Sequence, residues 1–167
     1  MRKLLFLAVS IFVIAILSAC GQKSQEDVVQ SLNKKMEEMK SYKAQATMTL
    51  KMGEDPQVYD VEIWYKSPDF YRVELKNEKK EQSQMILRNK DGVYVLTPAL
   101  NKSFHFESDW PKNSSQAYLY ESLVKDIMED PNASFKATEN QYGFETKTRY
   151  QNSKMLPFQE VILNKKD

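Results

Sequence analysis

The chain has little of the reactive chemistry on which most enzymes depend. Its 167 residues contain one cysteine, Cys20, one histidine, His105, and 4 glycines. One cysteine excludes an intrachain disulfide, and one cysteine with one histidine is too few for a zinc site or for the common nucleophile–base pairs. These glycines are too few to form a glycine-rich phosphate-binding loop. We therefore expect a protein that is not an enzyme and that binds no metal or dissociable cofactor.

A strong charge of one sign is also missing. The formal net charge is +1, while charged residues make up 28% of the chain. Because nucleic-acid-binding domains carry an excess of Lys and Arg on one face, nucleic acid is not an expected partner. The length suits a single domain, since domains typically hold roughly 100–150 residues.

The amino-terminal residues form the pattern of a secretory signal peptide. A short basic start, residues 1–3, is followed by an apolar run over residues 4–17 and then by small residues. That run is too short for a membrane span, which needs roughly 20 apolar residues. Residues 17–20, Leu-Ser-Ala-Cys, resemble the lipobox of bacterial lipoproteins. The resemblance implies cleavage before Cys20 and a covalent diacylglycerol on its thiol.

Cys20 is open to two interpretations. In the first, two acyl chains anchor the mature protein, at about 0.8 kcal/mol per buried CH₂. In the second, the apolar run is an uncleaved anchor and the cysteine is incidental. The first predicts a signal peptide over residues 1–19, a lipid anchor and short linker over residues 20–23, and one domain over residues 24–167. That domain ends just after a strand, so either the chain continues in full-length relatives or the last strand is an open edge.

Residues 58–106 have the pattern of successive β-strands with one apolar face. In the first of these strands, Tyr59, Val61, Ile63 and Tyr65 alternate with polar side chains. Successive side chains on a strand point to opposite faces, so this spacing makes a sheet that is apolar on one side. The connections are short, and short connections require antiparallel neighbours.

Two amphipathic helices are predicted as the cover for this face. Ser24 and Asp27 have the spacing of a capping box, and apolar residues recur at helical spacing after them. Leu119, Leu123 and Ile127 recur every four residues in a second, more apolar helix. An apolar sheet face has to be buried against another layer, so the whole pattern predicts an α+β fold.

Three segments, taken in order, resemble the outer-membrane lipoprotein carrier family. They are residues 64–72, which contain Ser-Pro-Asp, residues 87–95, which contain an Asp-Gly hairpin, and residues 97–102, which contain a Pro-x-x-x-Lys turn. The resemblance is closest to the sporulation-associated lipoproteins of spore-forming Gram-positive bacteria. It implies a curved antiparallel β-sheet, an incomplete barrel, whose concave apolar face is covered by two or more helices, leaving a cavity for acyl chains. The carriers lack a lipobox and place arginine where this chain has Ser67, so a tethered binding role suits it better than a shuttle.

The apolar face defines a candidate hydrophobic cavity, and the alternative is an ordinary close-packed core, as in most protein interiors. His105 alternates with two phenylalanines and is expected on the opposite, wet face. The residues that would line the cavity come from the strands and from the second helix: Tyr59, Ile63, Tyr65, Tyr71, Val73, Met85, Leu87, Val95, Phe104, Phe106, Leu119, Leu123 and Ile127.

The expected function is that of a lipoprotein tethered to the extracytoplasmic face of the cell membrane. It would bind a lipid, an acyl chain or another hydrophobic ligand between sheet and helices. The alternative is a regulatory or interaction module that engages a membrane protein, for instance by strand addition, without a ligand cavity. The expected partners are therefore membrane lipid and a lipoprotein or membrane protein, and the oligomeric state is left open.

Cys20→Ala tests the anchor. Because the thiol is the only atom to which the diacylglycerol can be attached in the lipobox interpretation, the variant should lose all incorporation of labelled palmitate and should move from the membrane fraction to the soluble fraction or stay unprocessed. Cys20→Ala protein that is still lipid-labelled and membrane-bound would rule the interpretation out.

Overall fold

The computed structural model describes residues 23–112, 116–150 and 154–166, and over these ranges the chain forms two α-helices and nine β-strands. The predictions for the signal peptide and for Cys20 lie outside the described residues. In chain order the elements are α1 (Gln25–Glu38), β1 (Ser41–Leu50), β2 (Gln57–Lys66), β3 (Phe70–Asn77), β4 (Gln82–Asn89), β5 (Gly92–Thr97), β6 (Lys102–Phe106), α2 (Tyr120–Glu129), β7 (Ser134–Ala137), β8 (Gln141–Lys147) and β9 (Phe158–Asn164).

The strands form two antiparallel sheets, each in sequence order. One sheet has six strands, β1 to β6, and the other has three, β7 to β9. Neighbours in the chain are neighbours in the sheet because the turns between them are too short for a parallel crossover. Over the described residues neither sheet closes into a barrel. The predicted α+β class, a mostly antiparallel sheet with helices, is confirmed.

Helix α1 begins with the predicted capping box. Ser24 Oγ accepts a hydrogen bond from the Asp27 amide at 3.1 Å, and Asp27 Oδ2 accepts one from the Ser24 amide at 3.1 Å. Two amides that the first turn leaves without helical partners are thereby satisfied. The Ser24 hydroxyl, which donates to the carboxylate, lowers the pKa of Asp27. The cap fixes the start of the helix one turn before its buried residue, Val28.

The first core lies on one face of β1 to β3. Val61, Ile63 and Val73 are buried there, and Leu119, just before α2, is buried against them. Alternation along each strand puts these side chains on the same face. Trp110 and Tyr118, which lie between β6 and α2, pack at the edge of this core, so its cover includes residues outside the helices.

The second core lies between the two helices and the three-stranded sheet. Val28 from α1, Ile127 from α2, Phe144 from β8 and Val161 from β9 form one buried cluster. Helix α2 packs against α1 and β8. The helices therefore bury their apolar stripes chiefly against the three-stranded sheet. The sequence pattern did not show that the strands form two separate sheets.

A buried carboxylate ties α2 to the strands that follow it. Asp126 has an exposed fraction of 0%. It accepts hydrogen bonds from Arg149 Nε at 2.7 Å and from Gln159 Nε2 at 2.8 Å, while the Thr146 hydroxyl donates to its main-chain carbonyl at 3.1 Å. A charge held out of water needs such partners, since unpaired burial is costly. This network fixes the position of the helix on the three-stranded sheet.

Asp126→Asn should lower the free energy of unfolding by about 2–4 kcal/mol. The carboxylate accepts hydrogen bonds on both oxygens, and in the variant an NH₂ group would replace one oxygen and point at a donor. Glu129→Gln is the matched control: Glu129 contacts the same arginine, but its side chain is 56% exposed, and its loss should cost less than about 1 kcal/mol. Urea denaturation of the two variants checks this, and equal losses would contradict the role assigned to the buried network.

Candidate binding site on the concave face

The residues predicted to line a cavity on the six-stranded sheet fall into four groups. Ile63, Tyr71, Val73 and Leu119 lie together in the first core. They are closely packed side chains, and Val73 has an exposed fraction of 0%. The partly buried Tyr59 and Tyr65, which were also predicted, pack against this group. At this end of the face the apolar side chains bury one another.

Two predicted residues belong to the other core. Ile127 is buried among residues of α1, β8 and β9, and Leu123 packs against the same cluster. The helical spacing correctly placed Leu119, Leu123 and Ile127 on one stripe. That stripe begins at the large sheet and continues onto the small one, so its residues do not share a single space.

Met85 and Leu87 were assigned to the wrong face. In the β3–β4 ladder Ile86 lies opposite Val73, and Ile86 packs against the first core. Alternation then puts Met85 and Leu87 on the convex face, where Leu87 lies opposite Tyr94. The three consecutive apolar residues gave no alternation from which to choose a face, and a shift of one residue exchanges the faces.

The far end of the same face is open. Val95 lies opposite Phe104, and Phe106 lies opposite Val93, on the concave side of β5 and β6. Phe104 and Phe106 are each 48% exposed. Strand β6 is the terminal strand of the six-stranded sheet and is exposed along its whole length. The predicted apolar face therefore ends in two uncovered aromatic rings beside a free strand edge, as far as the described residues extend.

Aromatic rings line the corner where β2 turns into β3. Ring centroids are 5.3 Å apart for Tyr42 and Tyr65, 4.8 Å for Tyr65 and Tyr71, and 5.5 Å for Tyr71 and Trp110. Such tilted and edge-on pairs are a favourable arrangement of aromatic rings. The array reaches the Ser67–Pro68 turn, where a cis peptide bond joins the two residues.

A cavity of about 290 Å³ lies between this corner and the first turn of α2. We call it the corner cavity. Its position is the one predicted for a ligand, between the helix and the large sheet, but half of its lining residues are charged. The lining residues are Pro68, Asp69, Tyr71, Pro111, Lys112, Leu119, Glu121, Ser122, Lys125 and Arg149.

Glu121 and three tyrosine hydroxyls lie around the corner. The Tyr42 hydroxyl donates to Glu121 Oε2 at 3.0 Å, and the buried Oε1 has no hydrogen-bond partner. Burial, with the charge of Glu121 adding to it, raises the pKa of Tyr42 and of Tyr71. Burial also raises the pKa of Tyr118 to about 12. These hydroxyls are therefore hydrogen-bond donors at any physiological pH.

Arg88 fixes the main chain of Ser108 and Trp110, just after β6. Its side chain is on the concave side of β4, and one guanidinium nitrogen donates to the carbonyl oxygens of Ser108, at 2.7 Å, and of Trp110. Sequence reasoning missed both Arg88 and Glu121. An arginine in a strand and a glutamate in a first helical turn are ordinary surface features, and the glutamate is also favoured there by the helix dipole. Nothing in the sequence pattern around Arg88 or Glu121 indicated that either side chain would be partly buried.

Two further findings bear on the type of site. Among the described residues, no group of three or more His, Cys, Asp or Glu side chains could hold a metal ion. In the same ranges, neither helix has the length and apolar character that crossing a membrane requires.

Comparison with known proteins gives a family and one close relative. The sequence profile of the sporulation protein YdcC-like family matches residues 1–167. Sporulation protein YdcC of Bacillus subtilis (strain 168) is 58% identical over 166 residues, which are 99% of this chain and 49% of that protein. The chain thus spans about half the length of the curated relative.

A solved structure gives a more distant match. The structure of the CwlD amidase from Clostridioides difficile in complex with the GerS lipoprotein contains a chain that is similar over 86% of this chain and 81% of its own length. The sequence identity is 18% and the TM-score is 0.39. A likeness this distant carries no functional information.

The two ends of the concave face should respond differently to truncation. Val73→Ala, in the filled end, should lower the free energy of unfolding by about 2 kcal/mol, because it leaves a cavity in a closely packed core. Phe104→Ala, in the open end, should cost less than about 1 kcal/mol despite removing a larger side chain. Urea denaturation measures both, and a larger loss for Phe104→Ala would mean that the open end is covered in solution.

Proposed function

This chain belongs to the sporulation protein YdcC-like family, and we propose that it is a non-enzymatic interaction module of the sporulating cell envelope. In this proposal Cys20 carries a diacylglycerol that tethers the domain to the extracytoplasmic face of the membrane. The open end of the concave face then engages a partner protein in that membrane or close to it. The chain spans about half of its curated relative. That the longer members of the family have the same interaction role is therefore also a proposal.

One observation carries the proposal. The concave face is filled by its own core at β1 to β3, yet it ends at β6 in two half-exposed phenylalanines, Phe104 and Phe106. Exposed apolar patches on soluble domains mark sites of protein or membrane interaction. Aromatic side chains that can be buried on binding are also the most frequent energetic centres of interfaces.

The strand edge adds a second element of recognition. Strand β6 pairs with β5 and with no other strand in the described part of the chain. Its second edge therefore offers main-chain donors and acceptors to an extended segment of a partner. A strand added at this edge would place alternate side chains beside Phe104 and Phe106 on the same face, because side chains on a strand repeat every two residues. Edge pairing and apolar contact would then act together.

A second function is favoured by the same apolar residues. Val95, Phe104 and Phe106 form a continuous apolar surface, and an acyl chain lying on it would be removed from water. The corner cavity beside α2 favours the protein partner over the lipid. The corner cavity has a volume of about 290 Å³, and charged side chains make up half of its lining residues, whereas a lipid pocket is lined predominantly by apolar side chains.

The test is site-specific photo-crosslinking in sporulating cells. A benzophenone amino acid at position 104 or 106 should give a single protein adduct of constant mass. His105 provides the matched control, because it lies on the same strand and faces the opposite side, stacked on Tyr94 with centroids 4.5 Å apart. The probe at position 105 should give less than about a tenth of the adduct, since alternation turns it away from the partner.

Two outcomes would overturn the proposal. The first is equal adduct from positions 104 and 105, which would indicate contact without a defined face. The second is a lipid adduct in place of a protein adduct at positions 104 and 106, which would support the acyl-binding alternative.

A further inference from the structure

Strand β6 is a sheet edge with little of the usual protection against pairing. Natural sheets protect exposed edges with proline, bulges or charged side chains. The β5–β6 ladder runs without a bulge over all five residues of β6. After Lys102 the sequence of the strand is Ser-Phe-His-Phe, which contains no proline and no carboxylate. The edge is therefore open to pairing with another strand.

The sequence of β6 is complementary to itself when two copies run antiparallel. In the register that pairs all five residues, Phe104 lies opposite its own counterpart, because it is the central residue of the strand. Lys102 then lies opposite the second copy of Phe106, and Ser103 lies opposite the second copy of His105. Like charges in directly opposite positions are destabilising, and this register brings none together within the strand.

The pairs on the concave side would stabilise this arrangement. Alternation puts Lys102, Phe104 and Phe106 on that side. The two Phe104 rings would meet at the two-fold axis, and aromatic cross-strand pairs are favourable. The Lys102 ammonium of each copy would lie beside the other copy's Phe106 ring, whose face attracts a cation. Val95, opposite Phe104 on β5, continues the apolar row in both copies.

The free edge of the three-stranded sheet is less suited to such pairing. Strand β9 pairs only with β8 among the described strands, and it also has exposed apolar residues, Phe158 and Ile162. Its self-paired register is centred on Val161 and would put the exposed Glu160 opposite the second copy of Ile162. A charged side chain in the middle of an edge strand protects that edge from pairing. Of these two edges, β6 is the one that fits a second copy.

The area at the β6 edge suits a weak dimer. An aromatic side chain buries roughly 150–250 Å², and Phe104 and Phe106 are each 48% exposed. The four rings of a dimer would therefore bury on the order of 400 Å², to which the paired main chains would add. Stable protein interfaces bury about 1,200–2,000 Å². Two copies would therefore pair through this edge only where they are already held close together.

We propose that the partner at the open end of the concave face is a second copy of this chain, paired antiparallel through β6 around a two-fold axis at Phe104. This inference rests on the proposed function, because tethers in one membrane raise the effective concentration of the two copies. The axis of such a strand pair is perpendicular to the sheet, so both concave faces open to the same side. The contact is isologous and closes as a dimer.

Opposite charges at the axis test the dimer. Full-length chains with two different tags are co-expressed in sporulating cells, and a benzophenone amino acid at position 106 crosslinks them before capture. Phe104→Glu in both copies, or Phe104→Lys in both, should lower the yield of crosslinked dimer at least about tenfold, because like charges would face each other. One copy of each should restore at least about half of the parent yield, since opposite charges then meet. The same substitutions at Ile162, which is 56% exposed on β9, are the matched control and should leave the yield unchanged.

Cysteine crosslinking tests the register independently. Directly opposite residues have Cα atoms about 4.5–5.5 Å apart, which permits a disulfide. Phe104→Cys should therefore form a disulfide-linked dimer under mild oxidation. In His105→Cys the two cysteines would be offset by two residues and lie roughly 8 Å apart, which is too far. The first variant should give at least about ten times the dimer of the second, above the background of the parent chain with Cys20 alone.

Three results would overturn the inference: no recovery in the mixture of Phe104→Glu and Phe104→Lys, equal dimer from Phe104→Cys and His105→Cys, or an adduct at position 106 whose second component is a different protein. The last result would leave the proposed interaction role in place. The absence of any protein adduct at positions 104 and 106 would remove that role, and the dimer with it.

Discussion

The burial of one sheet face determines most of what surrounds it. Val61, Ile63 and Val73 alternate onto the same side of β2 and β3, and each apolar side chain of this size gains roughly 1.5–3 kcal/mol when removed from water. Leu119, Trp110 and Tyr118 pack against them, and Arg88 donates to the main-chain oxygens of Ser108 and Trp110. The cover is shorter than the sheet, which leaves Phe104 and Phe106 open.

The strands and helices were predictable because their patterns are local. Period-two alternation placed Tyr71 and Val73 on the buried face, and the Ser24 capping box marked the start of α1. The face of β4 was not predictable, since Met85, Ile86 and Leu87 are consecutive apolar residues and only pairing with β3 chooses among them. The division into two sheets also depends on long-range packing. Of the family resemblance, the link to sporulation proteins is confirmed, and the carrier-superfamily assignment stays a prediction.

The polar residues that distinguish the candidate site could not be found by pattern. Asp126 and Glu121 both belong to α2, where acidic residues usually face solvent. Tertiary structure gives the first a full set of partners and leaves the second with one hydrogen bond and an unpaired oxygen. Local sequence specifies that each is an acid on a helix. Only the packing around that helix decides that Asp126 is fully hydrogen-bonded while Glu121 keeps one oxygen without a hydrogen bond.

Native mass spectrometry of the full chain, released gently from detergent, is the most direct test of whether the concave face serves a protein partner or a lipid. A protein-binding role predicts a mass that the polypeptide and any covalent modification of it fully explain, because the filled end is a closed core and half of the residues that line the corner cavity are charged. A stoichiometric, non-covalent acyl ligand that survives release would contradict it, since the apolar surface at Phe104 and Phe106 would then hold a lipid and not a protein.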